Sequence, residues 1–497
     1  MVETSKTIKT SAFLFCAVFL FLGLAGQAFA ATYYVAKTGS DSADGSSGSP
    51  WLTIQHAADT AVAGDTVNVL EGTYSEKITF KHSGTAGYPI IFQTDQTNPA
   101  IIDGTGVSFD VYGSLVGINN ASYFTLSGFK IQNSMATGID IVDGTHDQLL
   151  NLDISNSGGV FPATAQITAD VSGPDKPPAF SVISGCKVHD SPTGGIAIWG
   201  VSNGYWLIEN NEVYNNAGYA NWDGVQVEAT GYTTHHIIIK NNLIHDNATW
   251  GGTEGGSDNL DLTGGRLNHH YLVEGNYIYG SAGSFKLHSG RSSFYAPGVS
   301  SFHIARFNRL TGIGYDCYNF PNPIVLYNNT FVDALQFVHF SGNGGPAIDT
   351  MGDSTYTGGD TGRMNWKNNI FFQETSNYAN ALFTQPADAT LSVTYASVRM
   401  QHNLYRFSHN AITWGSVYSS WAIDATKFAA FQASGAPDYP DTGSILTTTD
   451  ASQNFVGYAT KDYHLTSTSP AIDAGMALTT ATSSATDSTT LVVDRAS

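Results

Sequence analysis

Three short stretches of this 497-residue chain carry acidic, amide and basic side chains at matching places: Asp223-Gly224-Val225-Gln226-Val227, Asp258-Asn259-Leu260-Asp261-Leu262 and Gly283-Ser284-Phe285-Lys286-Leu287. In each, the third and fifth residues are apolar. On a β-strand, alternation sends those two to one face and the fourth to the other, with the first at the turn before the strand. Stacked side by side, the three strands give two columns. Asp223 stands over Asp258 and Gly283, and Gln226 over Asp261 and Lys286. At a strand spacing of about 4.8 Å, the three carboxylates and the amine fall within about 10 Å of one another.

Carboxylates that close repel and raise one another's pKa unless a cation lies among them. Oxygen donors without His or Cys suit a hard ion, and a loose, partly solvated surface site suits Ca2+ better than Mg2+. The plainer alternative is that these Asp residues end strands and carry surface charge. A lone Lys on a strand is ordinarily a solvated surface residue. Lys286 differs by standing one strand beyond an acidic cluster, in a chain with only 21 Lys and Arg together. It is placed to take a proton once desolvation or a nearby cation lowers its pKa from about 10.4.

Such columns require a stacked scaffold, and the sequence supplies a repeat. Segments of the form apolar-x-Asn-Asn, some with only the second Asn, end at Asn211, Asn242, Asn276, Asn308, Asn329 and Asn369, in steps of 31, 34, 32, 21 and 40 residues. Phe129, Leu152 and Cys186 continue the register toward the N-terminus. Each repeat carries several strands of three to five residues, rich in Val, Ile, Tyr and Phe and broken by Gly, Asn and Ser. One such unit cannot bury its own apolar face, whereas parallel coils stacked on one another can. Asn at equivalent turns fits, because it satisfies turn backbone groups and tolerates left-handed dihedrals. The expected fold is all-β: a right-handed parallel β-helix over residues 31–445, with Asn ladders at its turns. Residues 51–63, with Ile54, Ala57, Ala58 and Ala61 at helical spacing, predict a short N-terminal capping helix. The first strands are expected at 32–36 and 65–69, and 446–497 as a C-terminal loop and tail, the start of a further segment if the chain is truncated.

The three stretches resemble the motifs of family 9 polysaccharide lyases, the pectate lyases built on a parallel β-helix. Asp223-Gly224, Ser257-Asp258-Asn259-Leu260-Asp261-Leu262 and Phe285-Lys286-Leu287 carry the resemblance, which is specific between about residues 221 and 290. It implies Ca2+ held by Asp223, Asp258 and Asp261, with Lys286 as the Brønsted base in a β-elimination on a uronic-acid polymer. Pectate or polygalacturonate is the expected substrate, with alginate the alternative uronan. The family pattern has two consecutive acids where this chain has Ser257-Asp258, and Gly where it has Asn259. One fewer carboxylate implies a weaker calcium site. Arg266, Arg291 and His288 lie close by in sequence and are candidates for binding further substrate carboxylates.

Composition narrows the remaining choices. Charged residues make up 12% and aromatics 12%, with 52 Gly and 25 Tyr, which points to a packed β protein. A net charge of -20 opposes nucleic acid and anionic membranes as partners. It also opposes an anionic polysaccharide unless a cation mediates, which Ca2+ would do. Lys6 and Lys9, the apolar run from Ala12 to Leu24 and Ala28-Phe29-Ala30 read as a signal peptide over 1–30, so the expected mature protein is a secreted monomer. After Cys16 leaves with that segment, Cys186 and Cys317 remain, too few for a disulfide framework. A hydrolase on this fold would carry the adjacent Asp pair of β-helix polygalacturonases, and a mannuronan epimerase an Asp-Pro-His-Asp motif; neither occurs. The non-enzyme alternative is a carbohydrate-binding β-helix using aromatics such as Tyr205, Trp206, Trp222 and Trp250.

Overall fold

The computed structural model describes residues 30–109, 113–158, 165–171, 179–200, 204–216, 223–227, 234–247, 258–263, 270–280, 285–288, 303–312, 315–318, 324–333, 336–341, 364–374, 381–384, 398–407, 412–413, 420–421, 428–429, 443–472 and 474–475. All but the last residue of the expected signal peptide lies outside these. No helix among them is long and apolar enough to cross a membrane.

Successive coils contribute strands to three parallel sheets, two of thirteen strands and one of eleven among the described residues. A representative coil runs Leu207–Glu209 in the first sheet, Glu212–Tyr214 in the second and Val225–Val227 in the third. Many strands are only three residues long because three suffice: the central side chain points in and its neighbours point out. Ile208, Ile239 and Val273 stack this way on the first sheet, and Val213, Ile244 and Ile278 on the second, all fully buried. Burying each such side chain is worth roughly 1.5–3 kcal/mol, and the coils share the gain because none has a core of its own.

The paired asparagines divide the turn between them. The first of each pair, Asn210, Asn241, Asn328 and Asn368, takes φ between 53° and 58°, the left-handed region that lets the chain turn within two residues. Gly185 and Gly275 do the same where Asn is absent. The second Asn points inward and is buried. Its Oδ1 accepts both the backbone N–H and the Nδ2 of the Asn one coil before, through Asn211, Asn242, Asn276, Asn308, Asn329, Asn369 and Asn403. Cys186 opens this ladder and the Ser444 hydroxyl closes it.

Thr53 caps the expected helix, which spans Ile54–Thr60. Both oxygens of the half-buried Glu76 carboxylate accept N–H groups of the first helical turn, those of Ile54 and Gln55. Ile54, Ala57 and Ala58 join the core cluster that continues through the coils. The first strands, Thr32–Val35 and Thr66–Val69, pair in parallel.

The segment from 446 carries more structure than a loop. After Ile445–Leu446 ends the second sheet, a turn of helix at Ala451–Asn454, closed by an Asp450/Gln453 capping box, leads into an antiparallel pair, Phe455–Gly457 with Asp462–Leu465. Phe455 and Tyr463 pack on the outer side of the second sheet against Val332, Phe372 and Leu404, forming a second small core.

Candidate metal centre

The third sheet brings the expected residues together. Its register pairs Ala197 with Gln226, Gln226 with Asp261 and Asp261 with Lys286, one coil after another. Val225, Val227, Leu260 and Leu262 point inward and are fully buried, so Gln226 and Asp261 point outward. Asp223 and Asp258 stand at the entry to their strands. The Asp258 N–H donates to Asp223 Oδ1 at 2.6 Å, and the Gly224 N–H donates to the Asp258 carbonyl at 2.9 Å.

One carboxylate oxygen from each of Asp223, Asp258 and Asp261 lies within 4.8 Å of the others. This is tighter than strand spacing alone suggests. Although they stand on the outer side of the sheet, the three acids are only 4%, 3% and 6% exposed. Gathering three buried carboxylates without a counter-ion is costly, and the donor set is all oxygen, so the residues present fit a hard divalent cation. Lys286 is placed by its backbone register beside Asp261, and His288 pairs in the same way with Thr263. Arg266, Arg291, Ser257 and Gly283 lie outside the described residues.

Three features of this face were not read from the sequence. A second asparagine ladder runs along the turn between the second and third sheets. Asn216 donates through its backbone N–H and Nδ2 to Asn247 Oδ1, and Asn247 donates in the same two ways to Asn259 Oδ1. Asn259, read as a departure from a motif, is therefore a fully buried ladder residue. Farther along the sheet, Asp140 stands in the same outward column as Gln226 and Asp261, through Thr168 and Ala197. Burial holds its carboxyl above the usual range while the Thr168 hydroxyl donates to it at 2.5 Å. The signal was present, since Gly138-Ile139-Asp140-Ile141 repeats the pattern of Asn259-Leu260-Asp261-Leu262. Trp199 is the third, outward on the strand that carries Ala197.

Two of the four aromatics that suggested a sugar-binding surface, Trp206 and Tyr205, are engaged within the fold. Trp206 is 2% exposed and belongs to the core. Tyr205 is stacked between Phe180 at 4.4 Å and His236 at 4.6 Å, so both ring faces are taken. It forms part of a column of rings, Tyr123, His146, Phe180, Tyr205, His236 and His270, on left-handed residues of successive turns. Trp222 and Trp250 lie outside the described residues.

Comparison with known proteins agrees with this architecture. Residues 33–172 match the family model "Pel9A-like, right handed beta helix region", and residues 114–296, which span the acid cluster and Lys286, match "Right handed beta helix region". The fold is a right-handed parallel β-helix. Its matches to curated proteins are partial: 39% identity over 101 residues with the uncharacterised protein YwoF of Bacillus subtilis, covering 20% of this chain and 22% of that one. Pectate lyase PEL9 of Emericella nidulans is 38% identical over 128 residues, covering 23% of this chain and 31% of the relative. The chain thus spans less than a third of either relative. Among solved structures, that of pectate lyase Pel9A superposes with a TM-score of 0.48 at 16% identity, over 91% of this chain and 93% of that one.

Proposed function

We propose that this β-helix is a secreted polysaccharide lyase that cleaves a uronic-acid polymer by β-elimination, acting as a monomer on polygalacturonate or pectate, with alginate the alternative substrate. The observation that carries the reading is the cluster of Asp223, Asp258 and Asp261 within 4.8 Å, with Lys286 in register with Asp261 on the next coil. The partial likeness to a pectate lyase supports the same reading.

In this account the three aspartates hold Ca2+. When bound, the ion would offset the charge of the uronate carboxylate and acidify the proton on C5. Lys286, as the neutral amine, takes that proton. The C5–H electron pair becomes the C4–C5 double bond, and the glycosidic oxygen leaves from C4. Arg266, Arg291 and His288 are assigned to carboxylates of neighbouring sugars. A fixed cation among the acids also explains how a protein of net charge -20 would hold an anionic chain.

Running the reaction in isotope-labelled water tests elimination against hydrolysis. A lyase leaves unsaturated ends with no oxygen from solvent at the cleaved bond. Products that carry the solvent oxygen would assign the fold to hydrolysis instead.

A further inference from the structure

We propose that Asn259 is a positioning residue that fixes the Asp258 and Asp261 carboxylates for the cation; this rests on the calcium reading above. Register places Asn259 after Gly195 and Gly224 on successive coils. At those two positions no side chain fits: a Cβ on Gly224 would meet the Asn247 side chain at 2.6 Å and the Asn259 carbonyl at 2.7 Å, and one on Gly195 would meet the Gly224 carbonyl at 2.4 Å and Asn216 Nδ2 at 3.0 Å. The carbonyl and the ladder asparagine of the following coil fill the space. In the next coil Asn259 extends the ladder from the strand side, and Asn247 donates to its Oδ1 through both backbone N–H and Nδ2 at 3.2 Å.

The consequence falls on the acids at either side. Asn259 follows Asp258 by one residue and precedes Asp261 by two. Its carbonyl accepts the Val225 N–H at 3.0 Å, while its side chain is held by Asn247. Asp258 is held in turn through its N–H to Asp223 and its carbonyl from Gly224. The segment carrying two of the three acids is thus fastened to both neighbouring parts of the scaffold. Groups that orient metal ligands in this way commonly govern affinity by 10–100-fold. With Ser257 in place of a further acid, this chain depends on placement of the three acids it has.

The test is calorimetric titration of Ca2+ alone into the full chain, with melting temperatures measured in calcium and in chelator. Asn259→Gly is expected to weaken binding by about tenfold or more and to shrink the calcium-induced rise in melting temperature. Asn259→Asp, which keeps the acceptor, should bind at least as tightly as the parent. Asn403→Ser, on the other ladder, should lower the melting temperature equally in both conditions and leave affinity unchanged. If Asn259→Gly does not fold, Asn259→Ser takes its place with the same expectation. A folded Asn259→Gly or Asn259→Ser with parental affinity, or an equal loss of affinity in Asn403→Ser, would overturn the proposal. Failure of the parent chain to bind Ca2+ would overturn the calcium reading itself, and this inference with it.

Discussion

The backbone N–H of Asp258 donates to the carboxylate of Asp223 across two coils at 2.6 Å, so the cluster is built into the stacking of the helix. Asp261 completes it from the outward face of the strand that Asp258 precedes. Because the three acids repel when no ion is present, Asp261→Asn should raise the melting temperature in chelator. In calcium the same variant should melt below the parent and bind the ion at least about tenfold more weakly. Thermal melts with and without chelator check the crossing. A variant that melts lower under both conditions would mean that Asp261 acts in packing.

The main asparagine ladder should be costly to interrupt. Asn276 accepts two donors from Asn242 and donates to the Ile239 carbonyl and to Asn308. Asn276→Ala leaves buried donors and a carbonyl unmatched, at about 1–3 kcal/mol for each group left unsatisfied. A loss of roughly 3 kcal/mol or more in denaturant unfolding is expected.

Much of this was legible because two periodicities coincide. Strand alternation fixed the outward position of Gln226 and Asp261, and the asparagine anchors fixed which strands are neighbours. The second ladder escaped notice because Asn216, Asn247 and Asn259 are 31 and then 12 residues apart, since two of its members come from one coil. A sequence period cannot show that. Nor could it show the C-terminal pair of strands docking on the second sheet, where Tyr458 meets Asp333 from 125 residues away. The contact depends on the outer face of a sheet, whose pattern resembles that of any exposed strand.

A buried carboxyl outside the site predicts how stability varies with pH. Burial pushes the Asp147 carboxyl up to about 8, although one oxygen accepts the Phe124 N–H at 3.0 Å. The folded state therefore binds its proton more tightly than the unfolded chain does. This favours folding fully below about pH 4 and is lost as pH rises through about 8, by at most about 1.4 kcal/mol per pH unit. Asp147→Asn, neutral throughout, should flatten that slope. Unfolding free energies at pH 5, 7 and 8.5 decide it, and equal slopes in parent and variant would contradict the assignment.

His189 gives a smaller effect in the same direction. Its Nε2 faces the Asp153 carboxylate at 3.0 Å and its Nδ1 faces Asp190 at 2.7 Å, and bonding to Asp153 chiefly raises its pKa. The stabilisation is present below the ordinary histidine value and fades as pH rises through the raised one. Because Asp153 and Asp190 are partly exposed, less than about 1 kcal/mol is expected. His189→Gln should remove the fading, which melts between pH 6 and 9 would reveal.

Calcium-assisted elimination with Lys286 as base is open to direct measurement. The most direct measurement is the growth of ultraviolet absorbance from unsaturated uronate, with polygalacturonate or alginate at alkaline pH, in calcium or chelator. Growth is expected in calcium, none in chelator, and none with Lys286→Ala, whose fold and calcium affinity should match the parent. Undiminished growth with folded Lys286→Ala, or no growth on either polymer with calcium bound, would contradict it.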